Sequence, residues 1–440
     1  MTTTDDSVRD WHRRVWRLAV PIMLGTVSTP LLGLVDTAVV GHLDSPHYLG
    51  AVAIGSLIFN FLFWGFGFLR MSTTGLTAQA VGAGAEREAG AILTRAVALA
   101  AGFGLLLILL QTPVSAAALA LIDSSSDVEG GAATYIAVRI WAAPATLANY
   151  AILGFLLGRQ RPGLALAIQL VLNGTNIALD LLFVLGFGWN VAGVAAASVL
   201  AEFVALGAGL LLVRRVMAGP GVLWHVSALK DRLAFRRLVT VNGDIFVRTL
   251  CLVGGFGWFT AQGAEFGEIV LAANAILLNF QTFTGYALDG FAHAAEALVG
   301  QAIGARDRRG LDMAVRVSTL WAAVTACLFS LLYLVAGPLV IDGLTGIDSV
   351  RETAREYLPW VVALPMVSIW AFQWDGVFLG AVRTTALRNA MIVSLLTFLA
   401  ISWVLVPWGG NHGLWAAFTI FAAMRGVTLT FAYPALRRAV

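Results

Sequence analysis

The six residues Leu49–Ile54 (LGAVAI) recur in the second half of the chain as Leu271–Ile276 (LAANAI), at an offset of 222 residues. Four further matches share this offset: Gln79–Gly82 with Gln301–Gly304, Tyr135 with Tyr357, Gly154 with Gly376, and Leu157–Gly158 with Leu379–Gly380. Chance similarity between short strings rich in Ala and Gly would not keep one offset across several separate segments. The chain therefore contains an internal repeat, and each copy occupies one half of it.

Each copy contains six apolar runs of membrane-spanning length, because a spanning helix needs about 20 mostly apolar residues. The twelve runs lie near residues 15–40, 49–70, 91–112, 132–157, 163–186, 191–213, 237–258, 270–292, 313–336, 356–380, 386–407 and 413–433. Such continuous runs predict helices, since barrel strands alternate polar and apolar residues. We predict an all-α polytopic membrane protein with twelve transmembrane helices in two parallel six-helix lobes (a 6+6 pseudo-twofold repeat), one over residues 1–220 and one over 221–440.

The composition independently indicates a lipid environment. Hydrophobic residues make up 59% of the 440 residues and charged residues only 12%, whereas soluble domains contain about 25% charged residues. Both cysteines lie in apolar runs and indicate neither a disulfide framework nor a metal site. The net charge of +3 does not predict nucleic-acid binding. We expect no catalytic residue, no metal and no cofactor.

Basic residues in the connections predict the orientation. They cluster before span 1, in the even-numbered connections and at the C-terminus: Arg9–Arg17, Arg87, Arg95, Arg159, Arg161, Arg214–Arg237, Arg306–Arg316, Arg383, Arg388, Arg437 and Arg438. The odd-numbered connections are nearly free of them, with Arg351 and Arg355 as exceptions. By the positive-inside rule both termini face the cytoplasm. We predict a multi-pass protein of the bacterial cytoplasmic (inner) membrane.

Two parallel six-helix halves are typical of alternating-access transporters. The sequence contains no G-x-x-x-x-G-K-[ST] phosphate loop, so an ion gradient rather than ATP is expected to supply the energy. A channel usually arranges several subunits around one pore, and a membrane enzyme needs no such repeat. We therefore predict a monomeric secondary transporter, not an enzyme, with a small-molecule substrate and membrane lipid as its partners.

Acidic residues inside spans indicate function because they are costly in lipid. Asp36 in span 1 and Asp180 in span 5 lie at similar depth in the outer half of the membrane, so we expect them to share one cavity. Asn173, Asn176 and Asp180 follow spacings of three and four and lie on one helical face. A hydrogen-bonded seam between helices is the alternative, but the carboxylate favours ion coupling by Asp36, Asp180 and Asn176, with Asn173 lining the cavity.

A proton on Asp36 or Asp180 would remove a buried charge and change the preferred helix packing, as a two-state switch requires. Pro21 is the candidate hinge, because proline removes one backbone hydrogen bond and crowds the preceding turn. A static kink at Pro21 is the alternative.

In the second lobe, Asp289, His293 and Glu296 follow spacings of four and three along one face of span 8. A histidine between two acids can relay protons, whereas an ion-paired seam is the alternative and is preferred for Glu296. The second-lobe candidates are thus Asp289, His293 and, in span 10, Asp375. Asp244 is excluded from them because Arg248, one turn later, is expected to neutralise it locally.

These residues resemble the multidrug and toxic compound extrusion (MATE) family, specifically its DinF-like branch. The resemblance rests on Pro21 with Asp36, Asn176-x-x-x-Asp180, the paired QAVG and QAIG segments, and Leu288 through Glu296. It implies export of organic cations or other amphiphiles against inward flow of H⁺ or Na⁺. It also implies that Asp36 is the coupling acid, that Asn176 and Asp180 are its partners, and that Pro21 is the bend. The candidate cavity-lining residues are Asn173, Tyr135, Asn149 and Ser198.

Two alternatives belong to other classes of membrane protein. A flippase for lipid-linked precursors is favoured by a strongly cationic cavity, but most arginines here lie in cytoplasmic connections. A major-facilitator solute transporter also has parallel six-helix halves. Its basic loop G-x-x-x-D-R-x-G-R-R corresponds here to Gly82–Glu88 (GAGAERE), which keeps the acidic-to-basic step without the flanking pattern.

Overall fold

The computed structural model describes residues 8–41, 45–120, 125–217 and 226–439. The α-helices are α1 (Val8–Val40), α2 (Pro46–Gly65), α3 (Phe68–Gly82), α4 (Glu86–Leu109), α5 (Gln111–Leu119), α6 (Ser126–Arg139), α7 (Ala143–Gly158), α8 (Pro162–Asp180), α9 (Asn190–Val216), α10 (Arg232–Glu265), α11 (Glu268–Gly304), α12 (Arg308–Leu344), α13 (Asp348–Gly380) and α14 (Thr384–Arg438). Short 3-10 segments cover Ile140–Ala142 and Val226–Lys230, and a π-helix over Leu181–Gly186 continues α8.

The described helices account for the predicted spans. Ten helical segments within the described residues are long and apolar enough to cross a membrane. The last of them, α14, has 55 residues and contains two predicted spans, because the backbone at Gly410 leaves the helical conformation with φ 54° and ψ −133°. Together with α1, which covers the first predicted span, this makes twelve crossings. The predicted all-α, twelve-helix fold is confirmed.

Close helix packing repeats at the offset found in the sequence. Gly154 of α7 lies against the backbone carbonyl of Arg70 in α3, so closely that a Cβ atom would overlap the oxygen. Gly376 of α13 makes the same contact with the carbonyl of Ala292 in α11. Both members of the second pair lie 222 residues after their counterparts. The internal repeat is therefore a repeat of helix packing as well as of sequence.

The chain forms two compact units, one made of Leu24–Asn242 and the other of Met1–Met23 with Gly243–Val440. The divisions fall inside two helices, α1 and α10, which are the first spans of the two repeats. The lobe boundary at residues 220 and 221 lies outside the described residues, and the assignment of lobes to 1–220 and 221–440 stays a prediction.

The N-terminal part of α1 packs within the second of these units. The Trp16 ring meets the ring of Phe291 edge-on at 5.4 Å and that of Trp321 at 4.9 Å. Trp321 Nε1 also hydrogen-bonds His12 Nδ1 at 2.9 Å. The start of α1 is thereby fixed to α11 and α12, upstream of Pro21.

Candidate functional site

Asp36 and Asp180 lie side by side in the unit Leu24–Asn242, with their carboxyl groups within hydrogen-bonding distance of each other. Asp180 is fully buried and Asp36 is half-buried. In the described part of the chain no other donor reaches Asp36 Oδ1 or either carboxyl oxygen of Asp180. Two facing carboxylates without a donor are costly away from water. This position is therefore suited to holding a proton or a small monovalent cation between the two groups.

The helix changes type directly after Asp180. Helix α8 ends at Asp180 and continues as the π-helix Leu181–Gly186, and the N–H of Phe187 donates to the carbonyl of Leu182 at 3.0 Å. π-Segments within α-helices are rare and are frequently found at functional sites. Because the wider turn changes the angular position of the following residues, Asp180 is the last member of the polar face of α8.

Hydrogen bonds join the polar face of α8 to two neighbouring helices. Asn173 Nδ2 donates to the backbone carbonyl of Ser28 in α1 at 3.3 Å, and Asn176 Nδ2 donates to Ser198 Oγ in α9 at 3.3 Å. The Oδ1 atom of Asn176 has no donor within the described residues. The two amides therefore form the interhelical seam that the sequence left open as an alternative, while the Asp180 carboxyl group stays outside that seam.

Tyr135 of α6 lies beside the aspartates. It interacts electrostatically with both Asp36 and Asp180, and its hydroxyl accepts a hydrogen bond from Ser56 Oγ of α2 at 3.3 Å. Gly55, next to Ser56 in α2, leaves room for the Tyr135 ring, since a Cβ atom at residue 55 would overlap that ring. The structure thus brings the predicted cavity residue Tyr135 to the aspartate pair.

A second polar cluster adjoins the pair. Arg139, one turn after Tyr135, lies within electrostatic range of Asp36 and 3.5 Å from Glu202 Oε1 of α9. Asn149 Nδ2 of α7 donates to the Glu202 carboxylate at 2.8 Å and to its backbone carbonyl at 3.0 Å. Asn149, predicted to line the cavity, therefore holds Glu202 rather than either aspartate.

The predicted hinge residue Pro21 lies within an unbroken α1 that runs from Val8 to Val40. The division between the two compact units falls two residues later, between Met23 and Leu24. The helix therefore continues through the proline in this conformation. Bending at Pro21 stays a prediction.

The second-lobe candidate Asp375 is held by two buried arginines. Arg248 of α10 and Arg425 of α14 both donate to Asp375 Oδ2, the latter at 2.8 Å. The local pair expected between Asp244 and Arg248 is wrong, because Arg388 of α14 donates to Asp244 at 2.7 Å instead. Asp244 and Arg248 therefore each pair with a residue of another helix rather than with each other.

The other second-lobe candidates lie along α11. His293 Nδ1 is 3.1 Å from Glu296 Oε2, and Glu296 is fully buried. Asp289 lies within electrostatic range of Arg425. This lobe therefore combines the histidine–acid pair with a cluster of compensated charges around Asp375.

Comparison with known proteins decides the family. The MatE family model matches residues 21–182 and again residues 246–405. The chain belongs to the MatE family. Its two matched segments correspond to the two copies of the internal repeat.

The MatE chain is 44% identical to DNA damage-inducible protein F of Escherichia coli (strain K12), over 95% of this chain and 91% of that protein. It is 27% identical to "Probable multidrug resistance protein NorM" of Rhizobium meliloti (strain 1021), over 100% of this chain and 97% of the relative. Its fold matches a solved structure described as "Outward-facing conformation of a multidrug resistance MATE family transporter of the MOP superfamily", with TM-score 0.85, 18% identity and coverage of 100% and 99%. The protein is a multi-pass, DinF-like membrane transporter of the compound-extruding class, and not an enzyme.

The candidate site residues predicted for this MatE protein did not include Arg139 or Glu202. The available signal was their spacing, because each lies four residues after a predicted cavity residue, Tyr135 or Ser198, and therefore on the same helical face. That spacing does not reveal that Arg139 and Glu202 face each other across two helices.

Proposed function

We propose that this MatE-family chain exports organic cations or other amphiphilic compounds by antiport with protons, through alternating access. The observation that carries the proposal is the contact between Asp36 and Asp180, whose facing oxygens lack any other donor in the described residues. One proton between the two carboxyl groups would satisfy both of them. Its loss would leave two adjacent negative charges, which favours a different packing of α1 against α8.

Two polar side chains near the pair support this assignment. Tyr135 of α6 interacts electrostatically with both aspartates, and Asn176, one turn before Asp180 on α8, donates to Ser198 of α9. A change in protonation would therefore affect α1, α6, α8 and α9 together. Proton binding from the outside and substrate binding from the cytoplasm would then compete for one bistable arrangement, as antiport requires. Na⁺ is the alternative coupling ion.

The substrate class is proposed from relatives and from chemistry. One relative is named as a probable multidrug resistance protein, and the acids Asp36, Asp180 and Glu202 favour cationic amphiphiles by charge complementarity. We further propose that the protein is monomeric, lies in the bacterial inner membrane in contact with its lipid, and has both termini in the cytoplasm. No cofactor beyond the coupling ion is expected.

The test is export from proteoliposomes that contain the purified protein and a panel of fluorescent organic cations. An imposed pH gradient, acidic on the side that receives the substrate, is expected to drive transport, whereas a Na⁺ gradient alone is not. Asp36→Asn is expected to abolish the pH-driven component while the protein remains folded in the membrane. Asp127→Asn, an exposed acid at the start of α6, is the matched control.

Two results would contradict this proposal. Full transport driven by a Na⁺ gradient without a pH gradient would replace the proton as coupling ion. Undiminished pH-driven export by Asp36→Asn would remove the aspartate pair from the coupling mechanism.

A further inference from the structure

Arg139 is placed between two acidic groups without being fully bound to either. Its guanidinium is 3.5 Å from Glu202, longer than a good charge-assisted hydrogen bond of about 2.7–2.9 Å, and it acts electrostatically on Asp36. Its Nη1 is buried and has no hydrogen-bond partner among the described residues. The side chain therefore has a donor that is available to a second acceptor.

Aromatic rings on α2 support the guanidinium. It lies over Phe59 at 5.7 Å and over Phe63 at 5.5 Å from the ring centroids. Cation–π contacts stabilise a charge without fixing a hydrogen-bond direction. Arg139 can therefore rotate on this support between its two acidic neighbours without losing its packing.

Glu202 does not depend on Arg139 alone. Asn149 donates to its carboxylate at 2.8 Å, so one oxygen stays hydrogen-bonded if the arginine moves away. At the aspartate pair, in contrast, no donor among the described residues reaches Asp36 Oδ1 or either carboxyl oxygen of Asp180. The two acidic sites therefore differ in how strongly the positive charge of Arg139 stabilises them. For the aspartates this stabilisation increases when their shared proton leaves.

Among the described residues, the charged groups linked to the site carry one more negative than positive charge. The acids are Asp36, Asp180 and Glu202. The arginines are Arg139 and Arg70, because both act electrostatically on Tyr150 together with Glu202. Tyr135 and Tyr150 interact electrostatically with the same groups, and a phenol adds no charge to the count near neutral pH. Three negative and two positive charges sum to −1. One monovalent cation makes the cluster neutral, whereas a second would leave an excess positive charge in the membrane, which is costly.

We propose that Arg139 is the positioning residue that sets this proton uptake to one, by pairing with Glu202 while the aspartates hold their proton and turning to Asp36 when they release it. The proposal rests on the proposed function of the aspartate pair. The proton leaves to water and no covalent bond changes. The rotation of Arg139 away from α9 towards α1 conveys the protonation state from one helix to the next.

Opposite effects of two substitutions test this role. Arg139→Gln removes the positive charge that assists proton release, so the pH at which transport is half-maximal is expected to rise, corresponding to about a tenfold lower proton concentration or more. Glu202→Gln frees Arg139 for Asp36, so the same midpoint is expected to fall. Arg139→Lys keeps the charge and is expected to retain a midpoint near that of the unaltered protein.

The controls separate charge from structure. In the double variant Arg139→Gln/Glu202→Gln the net charge returns to −1, and the midpoint is expected to return towards that of the unaltered protein. The double variant Arg159→Gln/Glu86→Gln removes a partly exposed ion pair of 2.6 Å and is expected to leave the profile unchanged. Folding of every variant is checked by its thermal unfolding in detergent.

The outcomes also distinguish this inference from the proposed function. Absence of pH-driven export by the unaltered protein would refute the proposed function itself. If the unaltered protein transports but Arg139→Gln and Glu202→Gln alter only the rate, with unmoved midpoints, the role assigned to Arg139 is wrong. If Arg139→Gln does not fold, the downward shift in Glu202→Gln alone decides, and an unmoved or raised midpoint overturns the inference.

Discussion

Asp180 faces Asp36 at the residue where α8 changes from an α-helix into a π-helix. The junction places a fully buried carboxyl group where its only described hydrogen-bonding neighbour is another carboxyl group. Stability therefore depends on whether a proton lies between them, since its loss leaves adjacent charges in a site shielded from water.

We predict that Asp180→Asn stabilises the folded protein at alkaline pH while abolishing coupled transport. The amide donates to Asp36 without needing a proton, so the variant is expected to gain about 1–3 kcal/mol where the unaltered pair is ionised, and little at acidic pH. Thermal unfolding in detergent between acidic and alkaline pH measures this, with Asp127→Asn as the exposed control. Equal pH dependence in Asp180→Asn and the unaltered protein would show that no proton is shared.

The repeated close packing of helices predicts equivalent sensitivity in the two units. Gly154→Ala and Gly376→Ala would each force a methyl group into a backbone carbonyl of the neighbouring helix, and each is expected to destabilise the protein by about 1–3 kcal/mol. Gly102→Ala in α4 is the control, because nothing lies within 4 Å of its Cβ position. The Tm in detergent reports the effect, and an unchanged Tm in either variant contradicts the close approach.

Asp375 is predicted to be a structural residue. Asp375→Asn leaves Arg248 and Arg425 buried without their common carboxylate, which is expected to cost about 3–5 kcal/mol. Asp312→Asn removes the exposed bridge to Arg437 and is expected to cost about 0–1 kcal/mol. Thermal unfolding separates the two variants. A well-folded Asp375→Asn protein with lost coupling would instead assign this residue to ion transfer.

The sequence predicted features that follow from helical period and depth. Asp36 and Asp180 were expected to meet because they lie at similar depth in spans of the same orientation, and Asn173 and Asn176 were found on the face of Asp180 by spacing alone. The contacts of Arg139 with Glu202 and of Arg248 with Asp375 were not predictable in this way. Each contact joins two helices, and the rotation of each helix about its axis is set by all the helices packed around it. For Arg248 this rotation favours Asp375 over Asp244, which lies one turn away in the same helix.

The last prediction concerns the fit between Gly55 and Tyr135. Gly55→Ala is expected to displace the Tyr135 ring from the aspartate pair, because a Cβ atom there overlaps the ring. Small displacements of functional groups can reduce rates by about 100-fold, so a loss of tenfold or more in pH-driven transport is expected. Gly65→Ala in the same helix is the control, since its Cβ position is open. Tyr135→Ala removes the overlapping ring, so adding Gly55→Ala to that variant should change transport no further. Additive losses in the double variant would mean that Gly55 acts by another route than the ring.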